Sequence, residues 1–126
     1  MEMRYDIARA MDDALERFPE VEGEYARLFG RRYGAMEAVM CRDADIVLLT
    51  SGTVTSTARL VVKNLRRRGE KVGVLKMKLL RPFPVGKLRE ALKGAKKVAV
   101  IDRNFSFGAS GIFAQEVRAA LCNMPK

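Results

Sequence analysis

The feature that most constrains the fold is the alternation of three short apolar runs with helical stretches over residues 45–126. The runs at 45–50, 71–80 and 96–102 have the length of strands, and the first and last each contain four consecutive apolar residues, 46–49 and 98–101, as in strands covered on both faces. The stretches between and after them carry apolar residues at three- and four-residue steps, which is typical of amphipathic helices. Strands and helices that alternate over short connections predict an α/β domain with a mostly parallel sheet and helices on both faces.

The first 34 residues predict a separate helical segment. Apolar residues recur along residues 3–18 as one helix stripe, and Pro19 is expected to end that helix because it cannot donate an interior hydrogen bond. A second, shorter helix is expected to follow and to close at Gly30. Residues 35–41 fit either a short strand or the end of a helix; we favour the strand because Gly34 and a turn at 42–44 bracket it.

Several classes of protein are excluded by residue types. The chain has no histidine, which removes histidine-based catalytic triads and most zinc sites. No run approaches the ~20 apolar residues of a membrane span, and the first residues lack the layout of a secretory signal. The two cysteines, Cys41 and Cys122, cannot form a disulfide framework or a metal cluster. They fit a reducing cytoplasm, and we expect both to lie in apolar surroundings and to serve packing.

The charge is distributed unevenly along the chain. Residues 1–45 carry eleven acids and seven bases, a net charge of −4, whereas residues 46–126 carry four acids and seventeen bases, a net charge of +13. This asymmetry is compatible with nucleic acid, an anionic ligand or an acidic partner. The bases are scattered over several elements and no aromatic-rich strand is interleaved with them, so a solvated or docking face is favoured over nucleic-acid binding.

Three loops are expected at the carboxyl ends of the predicted strands, where parallel sheets bind ligands. The loop at 50–53 resembles a phosphate cradle but lacks the established glycine motifs, and helix capping by Ser51 or Thr53 is the favoured interpretation. An anion- or nucleotide-binding module that stands alone therefore remains an alternative function.

The loops at 81–84 and 102–108 supply candidate contact residues. Asp102 is poor material for acid/base catalysis without a second titrating group, and we expect it to pair with an arginine across an interface or between loops. The two phenylalanines of the last loop are expected to tuck onto the core in an isolated domain, or to be contact residues in a complex. The candidate interface residues are Arg81, Phe83, Asp102, Arg103, Phe105 and Phe107.

Residues 43–54, 69–84 and 98–108 resemble the C-terminal part of the α subunit of 2-oxoacid:ferredoxin oxidoreductases, in particular the pyruvate type (pyruvate synthase). The specific combination is Arg-Pro-Phe-Pro after one strand and Asp-Arg-Asn-Phe-Ser-Phe-Gly after the next. Nearly the whole chain is covered, but it amounts to about a third of a usual α subunit.

The resemblance implies an enzyme that converts a 2-oxo acid and coenzyme A to acyl-CoA and CO2 and passes electrons to ferredoxin. Thiamine diphosphate, iron–sulfur clusters and coenzyme A are expected in the parent complex, and none of them in this chain. No family motif for thiamine or cluster binding lies within residues 1–126, so no catalytic, cofactor-binding or metal-binding residue is assigned, and the chain is not expected to be catalytic alone. The expected partners are the β, γ and δ subunits and, indirectly, ferredoxin, with a homodimer left open and no nucleic acid or membrane.

The resemblance also implies the architecture. Residues 1–34 would be a helical segment, and residues 35–126 a domain like the C-terminal domain of transketolase. That domain is a three-layer α/β/α sandwich with a mixed, mostly parallel sheet of about four strands, in which 35–41 would be an antiparallel edge strand. The family's last strand and helix are missing, which would leave the strand at 96–101 as an open edge. Self-association over that edge is expected, with cover by the N-terminal helices as the alternative.

Overall fold

The computed structural model describes residues 2–124, in which helices and strands alternate from the second strand onward, as predicted. The elements in chain order are α1 (Glu2–Phe29), β1 (Met36–Val39), β2 (Ile46–Ser51), α2 (Val54–Arg67), β3 (Val72–Met77), α3 (Val85–Leu92), β4 (Lys97–Val100) and α4 (Ile112–Leu121).

The four strands form one mixed sheet in the order β1-β3-β2-β4. β2 pairs in parallel with both β3 and β4, whereas β1 runs antiparallel to β3 at one edge. This confirms the three parallel strands and the antiparallel edge strand, and it places the most apolar strand, β2, inside the sheet. β4 forms the other edge and has no strand on its outer side within residues 2–124.

Helices cover both faces of the sheet, which confirms the predicted three-layer architecture. On one face α2 packs through Ala58 and Val62 against Val74 of β3. On the other face α3 and α4 pack on the larger core cluster, in which Leu75 and Phe113 are buried. Successive residues of β3 alternate between the two clusters because side chains of a strand point to opposite faces, so this strand is buried on both sides.

The helix α1 differs from the prediction in its length. It is a single helix of 28 residues with Pro19 inside it, where the sequence predicts two helices separated at that residue. A proline removes one interior hydrogen bond, but in an exposed helix water can bind the freed carbonyl, so the helix continues. The apolar stripe is also not covered, because α1 contains no buried residue and Ile7 is 55% exposed. No helix among residues 2–124 is long and apolar enough to cross a membrane.

Candidate functional site

The three parallel strands all finish at the same end of the sheet, and a crevice lies at this carboxyl edge between β2 and β4. The connection after β2 leads to β3 on one side, whereas β4 lies on the other side, so this is the switch point where such sheets bind ligands. The crevice measures about 400 Å³. Its lining consists of two segments, residues 51–54 from the end of β2 to the start of α2 and residues 101–104 after β4.

Asp102 lies in this crevice, and its carboxylate is bound by backbone groups. Its Oδ1 accepts from the N–H of Asn104 at 2.8 Å, and its Oδ2 accepts from the N–H of Ala114 at 3.0 Å. The second contact satisfies a free donor in the first turn of α4, as an N-capping side chain does. Within residues 2–124 Asp102 therefore orders its own loop and α4, and the arginine expected from another loop of this chain is not its partner.

The start of α2 is not capped in the way that the sequence predicts. Thr53 stands at the N-cap position, but its side chain makes no capping hydrogen bond. The hydroxyls of Thr50 and Thr55 are instead hydrogen-bonded to each other at 2.9 Å and buried. A threonine pair five residues apart gives no recognisable pattern, so sequence reasoning missed this bond between β2 and α2.

The loop between β4 and α4, residues 101–111, exposes two aromatic side chains to solvent, and we call it the aromatic loop. Phe105 is 68% exposed and Phe107 is 96% exposed, and their rings meet edge to face with centroids 6.1 Å apart. Arg103, which lies between β4 and these two phenylalanines in the sequence, is exposed as well. The phenylalanines do not pack onto the core, so the first of the two alternatives is wrong, and their role as contact residues stays a prediction.

The loop after β3 approaches the same region through Arg81. Its guanidinium forms an ion pair with Glu116 of α4, the helix that follows the aromatic loop. Phe83 is half-buried, as Asp102 is, and it packs against the larger core cluster. Arg81, Arg103 and the two phenylalanines are thus the exposed candidates at the carboxyl edge.

The two cysteines lie in different environments. The thiol of Cys41 is half-buried and donates to the carbonyl of Val74 at 3.3 Å, and burial raises its pKa. Cys122 is exposed at the end of α4, so the prediction of a packing role is wrong for this residue. No group of three or more cysteine, aspartate or glutamate side chains in the described part of the chain could hold a metal ion. A four-thiolate iron–sulfur cluster does not fit these residues.

A second group of polar side chains, which sequence reasoning missed, lies where α1 approaches the sheet. We call Glu37, Arg59, Lys76 and Lys78 the cationic cluster. Glu37 pairs with Arg59 of α2, and its Oε2 lies 3.0 Å from the Nζ of Lys78. The hydrogen bond from Lys78 is the main cause that lowers the pKa of Glu37, with burial opposing it. The alternation of β3 gave a signal, because Lys76 and Lys78 follow its apolar residues on one face.

Fold and surface together define an open three-layer α/β domain that exposes charged and aromatic side chains at the carboxyl edge of its sheet. Comparison with known proteins assigns this domain to a family. Residues 44–126 match the model of pyruvate:ferredoxin oxidoreductase core domain II. The chain therefore belongs to the pyruvate:ferredoxin oxidoreductase family, which confirms the resemblance seen in its motifs.

Individual relatives agree with this assignment. The chain is 40% identical over 121 residues to pyruvate synthase subunit PorA of Methanothermobacter thermautotrophicus, covering 96% of this chain and 32% of the relative. It is 42% identical over 123 residues to ketoisovalerate oxidoreductase subunit VorA of Pyrococcus abyssi, covering 97% and 31%. It thus spans about a third of the length of these relatives.

A solved structure shares the fold. The chain matches the 2-oxoglutarate:ferredoxin oxidoreductase from Magnetococcus marinus, solved with 2-oxoglutarate, coenzyme A and succinyl-CoA bound. The TM-score is 0.61 at 26% sequence identity, and the match covers 86% of this chain and 18% of that one.

Proposed function

We propose that this chain is a structural and assembly domain of the α subunit of a pyruvate-type 2-oxoacid:ferredoxin oxidoreductase. The whole enzyme would convert a 2-oxo acid and coenzyme A to acyl-CoA and CO2 and pass electrons to ferredoxin. Family membership and the pyruvate synthase relatives support this proposal. Thiamine diphosphate, the iron–sulfur clusters and coenzyme A would be bound by other parts of the complex, including the β, γ and δ subunits.

The aromatic loop after β4 is the observation that carries the assembly role. Phe107 is almost fully exposed and its ring meets that of Phe105, and Arg103 of the same loop is exposed as well. Apolar area of this kind is costly in water unless a partner covers it, and aromatic and arginine side chains are enriched at the centres of interfaces. We infer that a neighbouring subunit or domain covers this loop, and that Arg81 and Asp102 hold the surrounding structure in place.

The domain boundaries are part of this proposal. Residues 1–34 would be a helical segment that connects to other parts of the α subunit, and residues 35–126 would be the transketolase-C-like domain. The free thiols of Cys41 and Cys122 support a reducing compartment, and we propose the cytoplasm.

A chimera tests the assembly role. The matching region of the Methanothermobacter PorA subunit is replaced by this chain, and copurification of the other subunits is measured together with viologen reduction dependent on 2-oxo acid and coenzyme A. We expect the chimera to assemble and Phe107→Asp to reduce copurification, because an acid would have to be buried in the contact. Leu60→Asp, on an exposed position of α2, is the matched control and should leave assembly unchanged.

Two results would contradict the proposal. Turnover by the purified chain alone would show that it is not merely an assembly domain. An equal loss of copurification in the Phe107 and Leu60 variants would show that the aromatic loop is not the contact surface.

The alternative function is an anion- or nucleotide-binding module without catalysis. The net charge of +13 over residues 46–126 and the cationic cluster favour an anion site in the chain. Such a site is compatible with the assembly role.

A further inference from the structure

A cavity of about 650 Å³ opens between the middle of α1 and the sheet. It has the volume of a site for a small molecule. The cationic cluster lines it together with Phe18 of α1 and Tyr33 of the connection to β1. The remaining lining residues are Gly34, Gly52, Met77 and Leu79.

The charges in this cavity are not balanced by the chain. Arg59 and Lys78 share the single carboxylate of Glu37, and Lys76 lies opposite Glu37 in the register of β1 and β3. Lys76 is half-buried and forms no ion pair with any residue in the range 2–124. Among the lining residues three cations therefore face one carboxylate, a net charge of +2, while the carboxylate of Glu22, outside the lining, accepts from the N–H of Gly34 at 2.6 Å.

The guanidinium of Arg59 has one N–H donor without a hydrogen-bond acceptor among the described residues. Its Nε is buried and has no hydrogen-bond partner among the described residues, although its Nη2 binds Glu37. A buried donor without an acceptor is rare in folded proteins because it costs free energy. An acceptor oxygen of a ligand in the cavity would satisfy it.

The walls of the cavity favour a compact anion. Phe18 and Leu79 supply apolar surface beside the cations, and the Nζ of Lys78 also donates to the carbonyl of Tyr33 at 2.7 Å. Charges near apolar walls interact more strongly than charges in open water. A phosphate group offers several acceptor oxygens to arginine and lysine donors and can carry the two charges that the cavity lacks.

We propose that this cavity binds a small phosphorylated molecule with at least two negative charges, held by Arg59, Lys76 and Lys78. Glu37 separates and orients two of these cations and repels the ligand at the same time. The proposal does not rest on the assembly role.

Calorimetric titration of the full chain tests the proposal. The probes are inorganic pyrophosphate, ADP and adenosine, at about 0.15 M salt so that unspecific attraction is screened. We expect pyrophosphate and ADP to bind saturably to one site per chain and adenosine not to bind. Absence of saturable binding by both phosphates, or binding by adenosine as tight as by ADP, would overturn the proposal.

Two variants locate the site. Lys76→Gln should weaken pyrophosphate binding by about tenfold or more, because a charge-assisted contact is lost. Lys63→Gln, an exposed lysine on α2 outside the cavity, removes the same charge and should change binding less than about twofold. Equal effects of the two variants would show that binding follows net charge only and would overturn the site.

Glu37→Gln separates a ligand site from a purely structural ion pair. Removing the carboxylate should tighten pyrophosphate binding, because the ligand no longer meets its repulsion. Circular dichroism confirms that the variant is folded. Weaker binding by a folded Glu37→Gln variant would contradict the proposed arrangement.

Discussion

Gly73 of β3 lies directly against the end of β1, at a distance that no side chain can occupy. A Cβ placed on it would lie 2.6 Å from the carbonyl oxygen of Met40 and 2.9 Å from the Cα of Cys41. Both are backbone atoms, so neither can turn away. Gly73→Ala should therefore lower the free energy of unfolding by about 2 kcal/mol, measured by urea denaturation.

Gly86 of α3 is the matched control for this prediction. A Cβ at this position would meet no atom within 4 Å, and the residue lies in the first turn of a helix. Gly86→Ala should be neutral or raise the free energy of unfolding by up to about 1 kcal/mol, because alanine is the better helix former. A loss of stability in both variants would show that the Gly73 contact is not the cause.

Two carboxylates make the stability of the chain sensitive to acid. A hydrogen bond from Lys78 lowers the pKa of Glu37, and hydrogen bonds from Arg66 lower the pKa of Asp43. A group with a lowered pKa in the folded state adds stability above its ordinary pKa and loses this contribution as the pH falls through the lowered value. The urea midpoint should therefore be constant down to about pH 5 and fall below it.

The double variant Glu37→Gln, Asp43→Asn tests this assignment. Its urea midpoint should be lower than that of the parent chain at pH 7 and should fall less steeply between about pH 5 and pH 3. An unchanged slope would place the acid sensitivity in other carboxylates.

At the scale of elements, α1 contributes little to the folded core. Neither core cluster includes a residue of α1. One contact that joins α1 to the rest of the domain is the hydrogen bond that the N–H of Gly34 donates to Glu22 at 2.6 Å. A chain of residues 31–126 should therefore keep its cooperative unfolding, with a urea midpoint close to that of the full chain. Circular dichroism at increasing urea measures this.

Deletion of α4 provides the comparison for the truncated chain. A chain that ends at Gly111 loses Phe113, Val117 and Ala120 from the larger core cluster and should not fold. If removal of α1 were as damaging as removal of α4, the helix would belong to the domain and not to a separate segment.

Helices and strands could be predicted from sequence wherever the burial of the element in the fold matches its pattern of apolar residues. β2 has a continuous apolar run because both its faces are covered, and a short run of branched apolar residues between turns is typical of such a strand. The break expected at Pro19 was wrong because the cost of a proline depends on whether water reaches the freed carbonyl, which the sequence does not show. The exposure of α1 was likewise not predictable, since an apolar stripe does not indicate what covers it.

The candidate site was predictable only in part, because the sequence does not show which residues from different elements become neighbours. Loops at the carboxyl ends follow from strand order, so Arg103 and Phe107 could be named. The alternation of β3 places Lys76 and Lys78 on one face, but their proximity to Glu37 could not be predicted, because Glu37 and Lys76 become neighbours only through the antiparallel register of β1 and β3.

For the whole molecule, we expect the chain to self-associate when other subunits are absent. Among residues 2–124 no strand pairs with the outer side of β4, and the loop that follows β4 exposes the apolar area of Phe105 and Phe107. A second copy would cover both, and twofold dimers are the commonest solution. Light scattering coupled to size exclusion at tens of micromolar should give a mass well above 14.1 kDa.

Phe107→Asp should shift this equilibrium towards the monomer, because the charge opposes burial of the loop. A monomer mass for the parent chain would refute self-association. A dimer that the substitution leaves unchanged would place the interface on another surface.

The helix α1 also affects how the molecule moves in solution. With 28 residues at about 1.5 Å each it is about 42 Å long, which exceeds the roughly 35 Å diameter of a compact particle of this chain length. Since almost all of its surface is hydrated, it adds frictional drag without adding core. The monomer should therefore tumble anisotropically, with slower reorientation of the helix axis than of directions across it, and small-angle X-ray scattering should record an elongated envelope.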